Sequence, residues 1–577
     1  MIKNLDIHAL EKMRVRFNRL YGPSEVEHLL ERMVALIGRY GIGLEAYREA
    51  NLWDESSSVL ITYGDMVQNG DEAPLVVLRR FADQHLGGAI NTVHILPFYP
   101  YSSDDGFSVI NYRVVDPKLG DWDDVQKLGC SFRLMFDLVL NHCSRKGKWF
   151  ADYVANVAPY RDFFIEEDPD TDLSAVTRPR ALPLLTPVHT QRGDTYVWTT
   201  FSDDQVDLDF SNPDVLFEFL DILLFYIANG ATIIRLDAIA YLWKQVGTNC
   251  IHLKQTHEVV KLMRGLLDMV APDVVLLTET NVPHEENISY FGQGDEAHMV
   301  YQFSLPPLLL HALINGNASY LTQWASSLNE LSPKCTYFNF TASHDGIGVR
   351  PLHGIIPDEE VSRLAERMKE LGGHVSYKTN SDGSESPYEL NITYFDALGD
   401  NPDTVTEMHL ARFLCSQTVA MEMRGIPAIY FNSLTATRNN YSGIKDTGCA
   451  RTINRLKWQE DELERMLDDP CAPAGRVLKE YVARLKHRSQ YKVFHPDAFQ
   501  QVIDISSEWF VVEREWKDQR VVCISNFTDQ YQELAVDERL LHLNAVETCS
   551  DILTGRRYIG SGKVISFDAY QTVWLLF

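Results

Sequence analysis

Four stretches of this chain end in side chains that can move protons or attack carbon. GATIIRLDAIAY carries Arg235 and Asp237 after Ala231, Thr232, Ile233 and Ile234. DVVLLTET ends in Glu279, KCTYFNFTASHD in His344 and Asp345, and SFRLMFDLVLNH in Asn141 and His142. Each is an apolar, β-branched run that stops at charged or polar residues, the pattern of a buried strand delivering side chains at its C-terminal end. Arg235 and Asp237 are two apart and share a face while the chain stays extended. A strand-end salt bridge explains one such run; its repetition on several strands argues for a common site.

The elements that must position these groups form a series. Strands are expected at 58–63, 92–97, 132–139, 231–236, 273–278, 298–303, 336–341 and 426–431, with helical patterns between several of them, such as 213–228 and 255–270. Eight alternating units make a parallel (β/α)8 barrel, an α/β fold whose active face lies at the C-terminal strand ends. Residues 58–142 and 206–489 are assigned to this barrel. The Pro-, Arg-, Asp- and Thr-rich stretch 143–205 is too long for a simple connection and reads as an inserted lid domain. A helix and a Gly/Ser/Asn-rich loop (GGHVSYKTNSDGSESPYELN) follow Asp345, in a place where loops choose substrates. Residues 1–57 read as a helical extension: Leu10, Met13, Phe17 and Leu20, then Val26, Leu29, Leu30, Met33 and Leu36, recur at helical spacing. These helices are expected to pack on the body, with a homodimer contact as the alternative. Residues 490–577 become short alternating strands, an antiparallel β domain with a structural role.

Composition narrows the function. The 577 residues are 45% hydrophobic, enough for a large core, and carry a net charge of −27, which argues against nucleic acid as a partner. An anionic substrate would have to be held by local basic residues against that field. The N-terminus lacks an apolar signal core and no run of 18 apolar residues occurs, so a soluble cytoplasmic protein with no membrane partner is expected. The nine cysteines form no CxxC pair and are odd in number, which suggests neither a zinc site nor a disulfide framework.

DLVLNH (137–142), IIRLDAIA (233–240), LLTETN (276–281) and FTASHD (340–345) together resemble, in order, the four motifs of the α-amylase superfamily of retaining α-glycosidases and α-glucosyl transferases. ITYGD (61–65), HILPFYPYSSDDGF (94–107), ASHDGIGV (342–349) and ARTINR (450–455) are similar to the sucrose phosphorylase branch. The resemblance implies Asp237 as nucleophile, Glu279 as general acid/base and Asp345 as the residue that grips and distorts the sugar ring. Retaining transfer needs the first two carboxyls about 5 to 5.5 Å apart. Arg235 would lower the Asp237 pKa and keep it ionised, while the Leu277, Thr278 and Thr280 surroundings would let Glu279 keep its proton. The resemblance further implies that His142 and His344 donate to sugar hydroxyls, that Asp104 grips the glucose, that Phe107 stacks on it and that Gln205 belongs to its pocket. Arg451 and Arg180 match phosphate- or acceptor-side arginines, and Tyr241 and Tyr388 match aromatic residues of the same pocket. No metal or cofactor is needed; sugar and inorganic phosphate are the implied partners.

Three features depart from sucrose phosphorylases: Asn281 where a histidine is common, Glu389 for a glutamine facing fructose, and the N-terminal helices. RLDAIAYLWKQVGTNCIHLKQTHE (235–258), TETNVPHEENISYFG (278–292) and PYELN (387–391) are similar instead to glucosylglycerate phosphorylases. Arg350, just after Asp345, is then a candidate for a glycerate carboxylate or for a structural ion pair. The expected activity is phosphorolysis of a small α-glucoside to α-D-glucose 1-phosphate and an acceptor, glycerate first and fructose or fructose 6-phosphate next. The rival readings are a glucosidase or transglucosidase that makes no use of phosphate, and a barrel that has lost catalysis.

Overall fold

The computed structural model describes residues 7–40, 52–180, 182–379, 384–535, 548–559 and 564–577. Eight parallel strands close a barrel: β1 (Val59–Thr62), β2 (Thr92–Ile95), β3 (Arg133–Val139), β4 (Ala231–Asp237), β5 (Val275–Thr278), β6 (Met299–Tyr301), β7 (Thr336–Phe340) and β8 (Ile426–Tyr430). Each falls on a run expected from the sequence. Neighbours in the chain are neighbours in the sheet, and Val59 of β1 pairs with both Thr92 of β2 and Ala428 of β8 to shut the ring. Nearly every strand position is buried, because side chains fill the barrel within and helices cover it without.

Two of the covering helices show how the sequence sets their ends and faces. The helix Pro213–Ala228 begins where the Asn212 side chain accepts from the Asp214 amide at 2.9 Å and Pro213 fills the first turn. The helix Lys254–Val270 turns Val259, Val260, Leu262, Met263, Leu266 and Leu267 inward. Both carry the N-terminal helices α1 (Ile7–Tyr21) and α2 (Val26–Tyr40). Phe17 stacks on Phe217 at 6.0 Å, Arg16 pairs with Glu258 at 2.9 Å and with Asp295 at 3.0 Å, and Met13 lies where a Cβ on Gly265 would come within 2.0 Å of it. The extension therefore packs on the body; its stretches 1–6 and 41–51 lie outside the described residues.

The lid grows from the top of the barrel. The short strand His142–Ser144 pairs antiparallel with Gln205–Asp207, closing its base, and a hairpin of Leu185–Thr190 and Gly193–Trp198 forms its body. A buried ammonium ties lid to barrel. Lys244, in the loop after β4, lies 2.6 Å from Asn141 Oδ1 and 2.5 Å from Asp207 Oδ2. Asp207, fully buried, also accepts from the Thr200 amide at 2.9 Å and the Thr200 hydroxyl at 2.6 Å.

After the barrel, a six-stranded antiparallel sheet forms from Phe499–Val502, Trp509–Trp516, Gln519–Asn526, Thr548–Asp551, Arg557–Ile559 and Thr572–Leu576. It docks below the barrel, at the N-terminal end of β8, where Trp574 Nε1 donates to Glu422 Oε1 at 2.6 Å and Arg514 donates to the Glu422 carbonyl at 2.8 Å. Three of its strands, Phe499–Val502, Thr548–Asp551 and Arg557–Ile559, are not among those expected from the sequence. Phe499–Val502 alternates exposed with half-buried positions, so it carries no apolar face to read.

Candidate active site

A cleft of about 1180 Å³, counted to its open mouth, sits at the C-terminal rim of the barrel. Its wall includes every candidate residue from the sequence except Arg350. At its floor β4 and β5 run in register, Leu236 beside Thr278. One step further brings Asp237 and Glu279 to the ends of neighbouring strands, where the Glu279 amide donates to the Leu236 carbonyl at 3.1 Å, so the two carboxyls rise from adjacent positions as a retaining pair must. Arg235 binds both, with Nη1 2.6 Å from Asp237 and Nη2 3.8 Å from Glu279. Ala238, the residue after Asp237, takes φ 48°, a left-handed conformation unusual for a Cβ-bearing residue. That turn aims its N–H at Glu279 Oε2, at 3.0 Å.

The protonation of this pair departs from one expectation. Burial raises the Asp237 carboxyl; Arg235 opposes, and Glu279 and Asp137 push the same way as burial. Glu279 is raised too, first by burial and then by Asp345, against Arg235. Arg235 thus does not hold Asp237 low. It divides its charge over Asp237, Glu279 and the fully buried Asp137, with which it also forms an ion pair. Two buried carboxyls under one shared cation hold a proton between them near neutrality. The shorter arginine contact favours the charge on Asp237 and the proton on Glu279.

Asp345 lies opposite. Burial would raise its carboxyl, but Arg451, His344, Arg455 and Arg235 outweigh this and hold it well below the usual range. Arg451 reaches it with Nη1 at 2.6 Å and grips Glu389 with Nε at 3.0 Å and Nη2 at 2.8 Å. Arg451 is therefore bound by two carboxylates and does not stand as a bare phosphate ligand. His344 stays neutral, its pKa driven down to about 3 by burial despite Asp345. Its Nε2 is 3.5 Å from Asp345 Oδ2 and its Nδ1 has no protein partner.

The glucose-side candidates form one network. Asp104 takes φ 54° and Asp105 φ 48°, and Gly106 follows at φ 109°, where a Cβ would meet the Pro97 carbonyl at 2.6 Å. Asp104 Oδ2 accepts from Arg180 and from Gln205, each at 3.3 Å. Burial is outweighed by Arg180, Arg451 and Arg455, so the Asp104 pKa falls to about 2. His142 Nε2 is 2.9 Å from the Phe107 carbonyl, so its N–H is already engaged, and its Nδ1 faces Asn141 at 3.3 Å. The expectation that His142 donates to a sugar is corrected accordingly: strand Gln205–Asp207 and the 104–107 turn close around its ring. Phe107 stacks on His344 at 4.7 Å with rings 5° from parallel, so one face expected to receive the sugar is covered.

Tyr241, Tyr388 and Asn281 line the same cleft, in which Arg180 lies over Phe201 at 5.7 Å. Arg350 does not reach the wall. It starts the turn Arg350–Leu352, lies 3.6 Å from Glu286, and works against the burial that raises the Tyr241 phenol. Its role as a direct carboxylate ligand is therefore set aside in favour of the ion pair.

Some groups escaped the sequence reading. Asp137 sits inside the quoted DLVLNH run, and His94 Nε2 meets it at 2.6 Å. Arg455, in the quoted ARTINR run, is 2% exposed on its side chain, reaches Asp105 at 2.7 Å and donates to the His344 carbonyl at 2.8 Å. Phe303, Phe340 and Asn454 also stand in the wall. Among the described residues no group of three or more His, Cys, Asp or Glu stands where it could hold a metal ion, and no helix is long and apolar enough to cross a membrane.

The alpha amylase catalytic domain model matches residues 84–347. A glucosylglycerate phosphorylase of Spirochaeta thermophila is 45% identical over 99% of this chain and 99% of its own. The chain belongs to the α-glucosyl phosphorylases of the α-amylase superfamily. A sucrose phosphorylase of Streptococcus mutans is 30% identical over 80% of the chain and 93% of its own. The crystal structure of sucrose 6F-phosphate phosphorylase from Thermoanaerobacter thermosaccharolyticum superposes with a TM-score of 0.72 at 25% identity, covering 83% of this chain and 94% of that one. This phosphorylase is thus a retaining α-glucosyl transferase, and the carboxyl pair beneath Arg235 is its candidate machinery.

Proposed function

We infer that the chain catalyses reversible phosphorolysis of 2-O-α-D-glucosylglycerate to α-D-glucose 1-phosphate and D-glycerate. The reading rests on one observation above the others: Asp237 and Glu279 lie side by side in register under a shared Arg235, in a cleft whose opposite wall carries Arg180 and Arg451. Asp237 attacks the anomeric carbon while protonated Glu279 gives its proton to the departing glycerate oxygen. Glu279 then takes a proton from phosphate as phosphate displaces Asp237 with overall retention. Asp345, with His344, holds the glucose hydroxyls, and Asp104, braced by Arg180 and Gln205, holds the far side of the ring. His142 and Phe107 keep these groups in place. Tyr241, Asn281, Tyr388 and Glu389 shape the acceptor side. Arg350 supports it from behind.

The barrel (58–142 and 206–489) carries the chemistry, 143–205 covers it, and 1–57 and 490–577 buttress it. All nine cysteines are unpaired, which suits the reducing cytoplasm. Sucrose is the second reading, favoured by the sucrose phosphorylase relative. Phosphate release from α-D-glucose 1-phosphate with D-glycerate, D-fructose, fructose 6-phosphate, glycerol or no acceptor separates them. Fast release with glycerate alone is expected. Release with fructose would install the sucrose reading, and release independent of acceptor would make the chain a hydrolase.

A further inference from the structure

The Arg451–Glu389 contact is more elaborate than a pocket wall requires. Glu389 is 4% exposed and lies in strand Glu385–Asn391, whose pairing with Ile347–Gly348 sets it beside the Asp345 turn. Its Oε1 accepts from the Gly346 amide at 2.6 Å and from Arg451 Nε at 3.0 Å, and its Oε2 accepts from Arg451 Nη2 at 2.8 Å. A Cβ on Gly346 would meet Oε1 at 2.5 Å, so the backbone there is cut to fit this carboxylate. Two of the five guanidinium N–H groups, one on Nε and one on Nη2, are spent on Glu389, and Nη1 lies 2.6 Å from Asp345 Oδ1 as an ion pair. The arginine's charge is more than offset by two carboxylates.

We propose that Glu389 is a positioning residue acting through Arg451: it occupies the Nε–Nη2 edge and offsets the charge, so that the acceptor side exchanges small anions instead of retaining them. The proposal rests on the phosphorolytic reading above. That reaction passes two anions through one place while the glucosyl group waits on Asp237, a carboxylate leaving and phosphate arriving. A bare, water-poor arginine would bind phosphate through forked, charge-assisted hydrogen bonds and release it slowly. Arg180, whose one carboxylate contact among the described residues is the 3.3 Å one to Asp104, can add the remaining attraction.

Glu389→Gln tests this. The amide oxygen can still accept from Gly346 and Arg451 Nε, but its NH2 faces Arg451 Nη2, which frees that N–H and removes one negative charge. The KM values for phosphate and for D-glycerate should each fall about tenfold, the order that a unit charge exerts across a partly solvated cleft. Turnover should slow as anion release becomes limiting, and hydrolysis of α-glucosyl fluoride, with water as a neutral acceptor, is the reference against which each KM change is read. Glu389→Asp keeps the charge and should keep the wild-type phosphate KM relative to hydrolysis. In an Arg451→Gln background, Glu389→Gln should add nothing to that ratio.

A phosphate KM that rises in Glu389→Gln, or moves only as hydrolysis moves, overturns the proposal. If Glu389→Gln does not fold, judged by lost hydrolysis of the fluoride, Glu389→Asp decides alone: a retained ratio supports the proposal and a tenfold shift overturns it. A wild-type enzyme that releases no phosphate with any acceptor fails the phosphorolytic reading itself, a result visible before any variant is made.

Discussion

Replacing Lys244 by methionine should loosen the lid and can be followed quantitatively. The change removes an ammonium that is 5% exposed and leaves Asp207, fully buried, with the Thr200 amide, the Thr200 hydroxyl and Asn141 Nδ2 as its hydrogen-bond donors among the described residues. Breaking one side of a buried ion pair costs roughly 3–5 kcal/mol, mostly the penalty of the charge left behind. For a chain of this size, with unfolding entropy near 2.1 cal/mol/K per residue, that corresponds to about 3 °C in Tm if the chain unfolds as one unit. The lid's base strands, His142–Ser144 and Gln205–Asp207, should open before the barrel does. Limited proteolysis should therefore cut within 143–205 sooner than in wild type. The loss should reach catalysis too, because Lys244 holds the Asn141 amide that faces His142. Asp207→Asn combined with Lys244→Met removes the stranded charge and should recover at least half of the lost stability. A Lys244→Met protein within about 1 kcal/mol of wild type, or a double variant no better than the single, would refute the reasoning.

Other outcomes follow from the same geometry. Asp237→Asn should abolish transfer in both directions, measured as glucose 1-phosphate formation and consumption. Glu279→Gln should cost about 10²–10⁴-fold with donors whose leaving group needs a proton, and far less with glucosyl fluoride; equal losses with every donor would sink the acid role. Because burial raises both carboxyls, both limbs of the pH–rate profile should lie above the ordinary carboxylate range, with the acid limb lost as Asp237 protonates and the alkaline limb as Glu279 ionises. Glu279→Gln should remove the alkaline limb. Glu422, raised to about 8 by burial against Trp574 and Arg484, keeps its proton in the folded state while the unfolded chain loses it near pH 4.3. Stability should fall as pH climbs through that window and level off above it, and Glu422→Gln should flatten the decline in pH-dependent denaturation curves.

The barrel was legible because each strand is a short β-branched run ending in chemistry, a local signal that needs no partner to be seen. The cleft's carboxylates were legible for the same reason, since Asp237, Glu279 and Asp345 all close such runs. What could not be read was how the cations are shared. Arg235 adjoins Asp237 in sequence, which suggests a private pair, yet in space it also serves Asp137 and Glu279. Arg451 reads as free because its two carboxylates lie 62 and 106 residues away in the chain. Arg350 reads as part of the site because it follows Asp345 closely, but strand Ile347–Gly348 carries it behind the wall. The strand at 499–502 was missed because it presents no alternating apolar face.

The order in which the cations are made bears on how the enzyme comes to exist. Asp104, Asp105 and Asp345 all precede Arg451 and Arg455, and the Arg455–Asp105 bridge spans 350 residues. Strand β8, which shuts the ring against β1, begins only at Ile426. During synthesis at about 5–20 residues per second, a nascent chain waits many seconds with its first strands lacking their last neighbour and its rim carboxylates repelling one another. Ring closure and neutralisation of the cleft thus arrive almost together, within the stretch from Ile426 to Arg455. Newly made barrels would be most dependent on chaperones just before that stretch emerges, and pulse-chase protease sensitivity should collapse as it clears the ribosome.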